Sequence, residues 1–143
     1  MTWATDRLDE ILRGEGAIPP VNLTLRLGLL DSWKPGWVRK TWYATPDVLQ
    51  LDGAMFGGYL SALADQVAAF AAMTVVPGDR MFRTTHLQMQ FFKVVRNPTL
   101  VIEGRVVSQS RSILSVDVDF HCSETLVARA SATQFLTPIE RLA

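Results

Sequence analysis

The chain has 143 residues, with 14 basic and 14 acidic side chains that give a formal net charge of zero at neutral pH. This length predicts a single domain over residues 1–143 with a sizeable core, and the balanced charge excludes a basic nucleic-acid-binding surface and an acidic docking tail. The single cysteine, Cys122, excludes an internal disulfide and fits a reducing compartment. The first residues contain neither an apolar run nor a basic leader, so we expect no signal peptide and a cytoplasmic protein.

The N-terminal part of the chain predicts a short helix followed by two strands. Thr2 is a suitable N-cap for a helix over about residues 3–13, which Gly14 would end. A linker over residues 16–20, a strand over residues 21–30 with an interruption at Gly28, and a second strand over residues 37–43 follow in that order.

Residues 51–76 are the stretch around which we expect the rest of the fold to be organised. Apolar residues recur there with the spacing of a helix: Leu60, Leu63, Ala64, Val67, Phe70 and Ala71. The remaining positions are mostly small and apolar, so the helix should be buried nearly all round. Gly57-Gly58 would open it and Pro77-Gly78 would close it. Its polar residues, Asp65 among them, argue against a membrane span, so we expect no membrane partner.

After residue 79 the apolar period changes from 3.6 to 2, which indicates strands. These are predicted over residues 82–93, 99–108, 113–122 and 125–136, with a turn at Asn97-Pro98. One face of the last strand carries Leu126, Ala128, Ala130 and Ala132, and its row of alanines forms a shallow groove against which an alanine-rich helix can lie closely. Short turns predict that the four strands form an antiparallel meander. With the two earlier strands, the expected fold is α+β, a curled antiparallel sheet wrapped around one long helix.

The predicted helix carries two features with chemical potential. Gly57-Gly58 at its N-terminus would expose unpaired N–H groups at the positive end of the helix dipole, where an anion or oxyanion can bind. The alternative is that the two glycines only allow close packing. Asp65 is the one charged residue of the helix, so it is either a buried carboxylate with a raised pKa, suited to act as base or nucleophile, or a solvent-facing residue beside Ser61.

The spacing of these two features has a consequence for assembly. Gly57 and Asp65 are eight residues apart, which is about 12 Å along a helix axis. An oxyanion donor and a base that act on one carbonyl must both lie within about 3 Å of the reacting atoms. If both residues are catalytic, two antiparallel helices from two subunits must supply them, and the enzyme should be a dimer.

The motif FGG, six residues, then Asp, within QLDGAMFGGYLSALADQ, resembles the central helix of the hotdog-fold acyl-CoA thioesterases. The subgroup it resembles is the PaaI-like, phenylacetate-pathway one, and the likeness extends over residues 21–136. The resemblance implies hydrolysis of an acyl-CoA to a free acid and CoA by a homodimer, or by a dimer of dimers. It implies no separate cofactor, because coenzyme A is part of the substrate.

The resemblance also implies roles for individual residues. Gly57 would stabilise the thioester oxyanion, Asp65 would act as base or nucleophile across the dimer interface, and Gln50 and Thr84 would hold the attacking water. Strand parity places Thr85, not Thr84, on the face of Leu87, and a bulge near Arg83 would reconcile the two. The expected substrate-binding residues are Phe56, Gly58, Thr85, Phe91, Phe92, Lys93, Arg96 and Arg111. Each basic residue of this set has the alternative of being a solvated surface charge.

One position departs from the family pattern and leaves two other functions open. Phe56 stands where the family has a histidine, and a phenyl ring cannot donate a hydrogen bond to the substrate. The chain could therefore be a non-catalytic acyl-CoA-binding hotdog protein. A hotdog hydratase or dehydratase is the other alternative, but neither His86 nor His121 is near Asp65 in sequence. The sequence contains no metal cluster, P-loop or dinucleotide motif.

Overall fold

The computed structural model describes residues 1–96 and 99–140, and these form three helices, one 3-10 turn and six strands. The helices are α1 (Trp3–Leu12), α2 (Pro20–Leu25) and α3 (Gly57–Met73), and the 3-10 turn is Pro46–Val48. The strands are β1 (Ser32–Lys34), β2 (Trp37–Tyr43), β3 (Arg80–Phe91), β4 (Thr99–Gln109), β5 (Ile113–Cys122) and β6 (Thr125–Pro138). The predicted turn at Asn97-Pro98 lies outside the described residues.

The six strands form one antiparallel sheet in the order β1-β2-β4-β5-β6-β3, which packs against α3. The expected α+β class is confirmed, and β4, β5 and β6 form a meander. The prediction that β3 also belongs to this meander is wrong, because β3 pairs with β6 from Arg80 opposite Pro138 to Phe91 opposite Ala128. Short connections usually join neighbouring strands, but residues 92–96 lead away from the β3 edge, and Val95 O accepts from Met55 N at 2.9 Å, just before the start of α3.

α3 lies in a shallow groove of the sheet, as the alanine rows of both elements predict. Its Ala68, Ala71 and Ala72 are completely buried, and so is Ala128 of β6. At the centre of the contact, a Cβ atom on Gly104 of β4 would lie 2.9 Å from Val67 Cγ1 and 3.2 Å from Val67 O. The absence of a side chain at Gly104 therefore sets how closely the helix approaches the sheet.

The other side of α3 corrects two expectations. The helix ends at Met73 rather than at Val76, because the backbone bonds tighten there: Thr74 N donates to Ala71 O at 3.2 Å and Val75 N donates to Ala72 O at 3.1 Å. The Thr74 hydroxyl accepts from Gly36 N at 2.9 Å and so ties this end of the helix to the turn after β1. The helix is also not buried all round within the chain. One side of it is open, and we call this the open side of α3: Gly57, Gly58, Ser61, Ala62, Asp65, Gln66, Ala69 and Met73 are all exposed or half-buried.

The N-terminal part of the chain contains one confirmed helix and one wrong prediction. α1 is capped by Thr2, whose side chain accepts from Thr5 N at 3.2 Å, and it ends at Leu12, within one residue of the prediction. The strand expected over residues 21–30 is instead α2 followed by an irregular segment. Pro19 and Pro20 fix φ in the range of a first helical turn, which favours a helix at the start of this segment.

Candidate active site

Asp65 on the open side of α3 meets Thr84 on β3. The Thr84 hydroxyl donates to Asp65 Oδ1 at 2.8 Å. A bulge at Thr85 shifts the register of β3 against β6, and this places Thr84 opposite the buried Gln134. The predicted irregularity is thus present, although it lies at Thr85 rather than near Arg83. Of the two threonines, Thr84 is the one in contact with Asp65, whereas Thr85 Oγ1 is 3.4 Å from Thr133 O.

The surroundings of Asp65 differ from the expected buried, isolated carboxylate. The side chain is exposed in the single chain and has a hydrogen-bond donor in Thr84. Ser61, the neighbour considered in the alternative interpretation, donates to Gly57 O at 2.9 Å. The helix around Asp65 is apolar, but the open side lets the carboxylate reach solvent within one chain.

Gln134 of β6 is a further candidate that sequence reasoning missed. Its side chain is completely buried, with Oε1 3.0 Å from Thr84 Oγ1, and its Nε2 has no hydrogen-bond partner in the described part of the chain. A hydroxyl has one proton, so Thr84 cannot donate to Asp65 and to Gln134 at once. With the amide turned over, Gln134 Nε2 donates to Thr84, which donates to Asp65. An inward-facing polar residue among the apolar residues of β6 was the available signal.

The N-terminus of α3 begins at Gly57, as predicted, and its N–H groups are open. Phe56 is the N-cap residue and provides no side-chain hydrogen bond. In the described residues, nothing accepts from the N–H of Gly57 or Gly58. A Cβ on Gly57 would lie 3.1 Å from Phe91 Cζ, and one on Gly58 would lie 2.7 Å from Phe56 Cε1. Two phenyl rings, both about half exposed, therefore border the glycine pair.

A cavity of about 420 Å³ brings several predicted residues together near Gly57. Gln50, Gly57, Phe91, Phe92 and Lys93 all line it. The Gln50 amide donates to Met55 O at 3.3 Å, close to the start of α3. This cavity does not include Asp65, which lines a different one with Thr84. Within one chain, Gly57, the predicted oxyanion donor, is therefore separated from Asp65, the predicted base or nucleophile.

The three expected CoA-binding cations do not gather in one place. Arg96 donates to Asp52 O at 2.6 Å and ties down the loop before α3. Lys93 lies in the cavity near Gly57. Arg111 is exposed in the turn between β4 and β5, at the opposite end of the sheet from Lys93. In one chain, Arg111 is thus far from the other two cations.

Lys40 is a buried cation that the sequence did not single out. Only 1% of its surface is exposed, and it donates to Leu27 O and, at 2.6 Å, to Gln66 Oε1. Burial lowers the pKa of Lys40 to about 8. Gln66 in turn donates to Gly28 O at 2.7 Å. These contacts hold the segment after α2 against α3, which is a structural role.

The described residues contain neither a metal-binding cluster nor a membrane-spanning helix. No group of three or more His, Cys, Asp or Glu side chains is placed to hold a metal ion. None of the helices in residues 1–96 and 99–140 combines the length and the hydropathy that a membrane span requires.

The chain resembles known proteins in sequence and in structure. The thioesterase superfamily profile matches residues 52–139, more than half of the chain. A phenylacetic acid degradation-related protein from Ralstonia eutropha superposes with a TM-score of 0.80 at 26% identity, over 90% of this chain and 98% of that one. No curated protein matches at the significance required.

Two further solved structures contain the coenzyme. A thioesterase protein from Streptococcus pneumoniae with coenzyme A has 27% identity and a TM-score of 0.67, over 76% of this chain and 84% of that one. A Streptococcus mutans protein bound to acetyl-CoA has 26% identity and a TM-score of 0.70, over 78% and 90%. The expected hotdog fold is confirmed by these superpositions. The chain belongs to the thioesterase superfamily and is by class a thioester hydrolase.

Proposed function

We propose that this protein is an acyl-CoA thioesterase of the PaaI-like subgroup, and that two copies of the chain build each active site. The observation that carries the proposal is the Thr84–Asp65 hydrogen bond of 2.8 Å on the open side of α3. The open N–H of Gly57 lies at the end of the same helix but lines a different cavity. The CoA and acetyl-CoA bound to two similar proteins support CoA as the carrier of the acyl group.

The surface around Asp65 supports a two-fold assembly. β3 is the edge strand of the sheet and is 12 residues long, and in the described chain no other strand pairs with its free edge. Natural proteins usually cover such long edges. If β3 pairs with β3 of a second copy, the two α3 helices lie antiparallel with their open sides together. Gly57 of one chain then approaches Asp65 of the other, and association of two such dimers stays a prediction.

In the general-base route, the thioester carbonyl oxygen accepts a hydrogen bond from Gly57 N–H at the positive end of the helix dipole. Asp65 of the other chain takes one proton from water while the water oxygen bonds to the carbonyl carbon. The oxyanion then collapses, the C–S bond breaks, and the CoA sulfur takes the proton from Asp65. The products are the free acid and CoA. Thr84 would orient Asp65, and Gln50 would hold the water.

In the nucleophilic route, an Asp65 oxygen attacks the carbonyl carbon itself and CoA leaves as a thiolate. Water then opens the mixed anhydride, which releases the acid and restores Asp65. Mass spectrometry of enzyme quenched during turnover distinguishes the routes, because only the nucleophilic one gives an acylated Asp65.

Phe56 supports the alternative of an acyl-CoA-binding protein that does not hydrolyse its ligand. As the N-cap of α3 it contributes no side-chain hydrogen bond, and its ring is 59% exposed. The oxyanion would then depend on backbone N–H groups alone. A hydratase would need a histidine beside the carboxylate. His86 of β3 is exposed and is paired with Thr133 of β6. Because of the bulge at Thr85, His86 lies on the opposite face of the strand from Thr84.

A panel of acyl-CoAs with release of free thiol as the readout tests the proposal. We expect catalytic turnover of at least one thioester in the panel. Binding of the same thioesters without thiol release would indicate the binding protein, and hydration of an enoyl-CoA without thiol release would indicate the hydratase.

A further inference from the structure

A cavity of about 640 Å³ lies between the N-terminal elements and the open side of α3. Its walls are mainly apolar, with Ile11 from α1, Val21 and Leu25 from α2, Leu29 from the following segment, and Ala69 and Met73 from α3. Cavities of this size commonly bind small organic ligands. The family profile, which matches residues 52–139, does not include the N-terminal wall.

The N-terminal wall is firmly attached, so the cavity is a built feature of the fold. We call residues 19–30 the strap, since they run across the open side of α3. Side chains of α3 and β2 donate to four consecutive carbonyls of the strap: Tyr59 to Leu25 O at 2.5 Å, Trp42 to Arg26 O at 3.1 Å, Lys40 to Leu27 O and Gln66 to Gly28 O at 2.7 Å. Because these donors come from both α3 and β2, the hydrogen bonds fix the separation between the strap and α3.

The residues at the two ends of the cavity indicate which part of a substrate would occupy it. Asp65 and Thr84 line it on one side, and Met73 lines it two helical turns further along α3, about 12 Å away. A substrate carbonyl held next to Asp65 would therefore direct its acyl group along the cavity. A groove of this length suits an extended chain better than a single ring.

Most of the polar side chains in the wall already make hydrogen bonds within the chain. Arg7 already donates to Glu10 Oε2 at 3.2 Å and to Ala17 O. The amide of Gln66 is used by Lys40 and Gly28. Arg83 is exposed beside Thr84, at the same end as the carboxylate. The far part of the cavity, toward Met73, is thus lined by apolar side chains.

We propose that this cavity binds the acyl group, and that the substrates are thioesters of extended, apolar, aliphatic acids. The proposal rests on the proposed thioesterase function, because it names the substrate class of the same site. Each methylene that enters the cavity should strengthen binding about fourfold, which corresponds to about 0.8 kcal/mol per buried methylene.

Binding of S-alkyl-CoA thioethers, which cannot be hydrolysed, tests the cavity separately from turnover. Calorimetric titration of the full-length protein with the ethyl, butyl, hexyl and octyl thioethers should give dissociation constants that fall with chain length. Equal constants across the wild-type series would overturn the proposal. So would tighter binding of a phenylethyl or a carboxylate-ended thioether than of the octyl one. Length-dependent binding without hydrolysis of any thioester would leave the cavity assignment standing and remove the proposed function.

Two residues of α2 provide a matched pair of variants. Val21 lines the cavity and Leu23 does not, and both side chains are more than half exposed. Val21→Asp should lower the ratio of octyl to ethyl affinity at least tenfold, whereas Leu23→Asp should leave that ratio unchanged. Equal ratios in the two variants would contradict the assignment. If Val21→Asp does not fold, the chain-length dependence of thioether binding to the wild-type protein tests the proposal by itself.

Discussion

The two sides of α3 contain similar small, apolar residues but have different surroundings. On the side that faces the sheet, Leu63, Ala68 and Ala71 are completely buried. On the open side, Ser61, Ala62 and Ala69 remain partly exposed, and the carboxylate of Asp65 contacts only Thr84 among the described residues. Small residues bring the helix close to the sheet on the first side. On the second side, in our proposal, they bring it close to substrate and to a second helix.

The comparison indicates where substitutions should affect stability and where they should affect catalysis. On the sheet-facing side, a change of volume disturbs close packing and lowers the free energy of unfolding. On the open side, a change of chemistry should lower turnover while the fold stays intact. Four predictions test this division, from the largest expected effect to the smallest.

Asp65→Asn should have the largest effect, a reduction of kcat by about 10²–10⁴-fold, because the amide keeps the shape of the side chain but cannot accept a proton. Its thermal midpoint should stay close to that of the wild type, since the amide oxygen of asparagine can still accept the hydrogen bond from Thr84. Asp79→Asn, the same change in an exposed turn before β3, is the matched control and should keep full activity. Wild-type kcat in Asp65→Asn would show that the open side does not carry the chemistry.

Lys40 lies at the border of the two sides, where it contacts Gln66, and it should make stability depend on pH. Its pKa is about 8 in the folded chain against an ordinary 10.5, so the unfolded chain binds more protons between these values. The free energy of unfolding should therefore rise with pH from about 8 to about 10.5, by about 3 kcal/mol in total. Below pH 8 Lys40 should contribute no slope.

Urea unfolding at several pH values measures this dependence. In Lys40→Met the rise above pH 8 should disappear, whatever the absolute stability of the variant. An equal rise in the wild type and in Lys40→Met would assign the slope to other groups.

Gly104→Ala tests the sheet-facing side. The new Cβ would lie 2.9 Å from Val67 Cγ1 and 3.1 Å from Val38 Cγ2, so the helix or the strand must move. We expect a loss of about 1–3 kcal/mol in the free energy of unfolding. Activity per folded molecule, measured well below the midpoint of thermal unfolding, should stay near that of the wild type. A large loss of kcat in folded protein would show that the two sides are not independent.

Gln134→Met should have the smallest effect, because Gln134 acts only through Thr84. The loss of one hydrogen bond of about 0.5–1.5 kcal/mol should lower kcat about threefold to tenfold with little change in KM. Thr84→Val should lower kcat as well, and the double variant should be no worse than Thr84→Val. Additive effects in this cycle would mean that Gln134 affects turnover by a route that does not pass through Thr84.

The fold was largely predictable because local patterns and packing agree over most of the chain. The strand over 37–43 and the strand over 113–122 have the predicted bounds, and the alanine row of β6 faces α3 as expected. The pairing of β3 with β6 was not predictable from the connections. The apolar pattern of β3 indicates a strand but does not indicate which edge of the sheet it joins. The strand predicted over residues 21–30 was wrong because Pro20 starts a helix there, and because the rest of the segment is held by hydrogen bonds to side chains distant in sequence.

Prediction of the candidate site was more limited. The FGG motif and Asp65 could be singled out because glycine pairs and a lone carboxylate are unusual in an apolar helix. The role of Thr84 depended on a bulge at Thr85, and strand parity alone pointed to the wrong residue. Gln134 and Lys40 were missed because their hydrogen bonds join residues distant in sequence, Thr84 and Leu27 respectively.

The central claim, that two chains share each active site, is tested most directly by mixing two inactive variants. Asp65→Ala lacks the carboxylate, and Gly57→Pro lacks the N–H at the first helical position, where proline is tolerated. Circular dichroism should first establish that Gly57→Pro folds, because Phe91 lies close to this position. The two proteins are then mixed in equal amounts under conditions that allow subunits to exchange.

In a mixed dimer, Gly57 of one chain meets Asp65 of the other, so one site of the two is intact. With random pairing about half of the dimers are mixed, and thioesterase activity should recover to about a quarter of the wild-type value. If each site were formed within one chain, every site in the mixture would lack one group. No recovery of activity, with exchange demonstrated by mass-tagged subunits, would contradict the shared site.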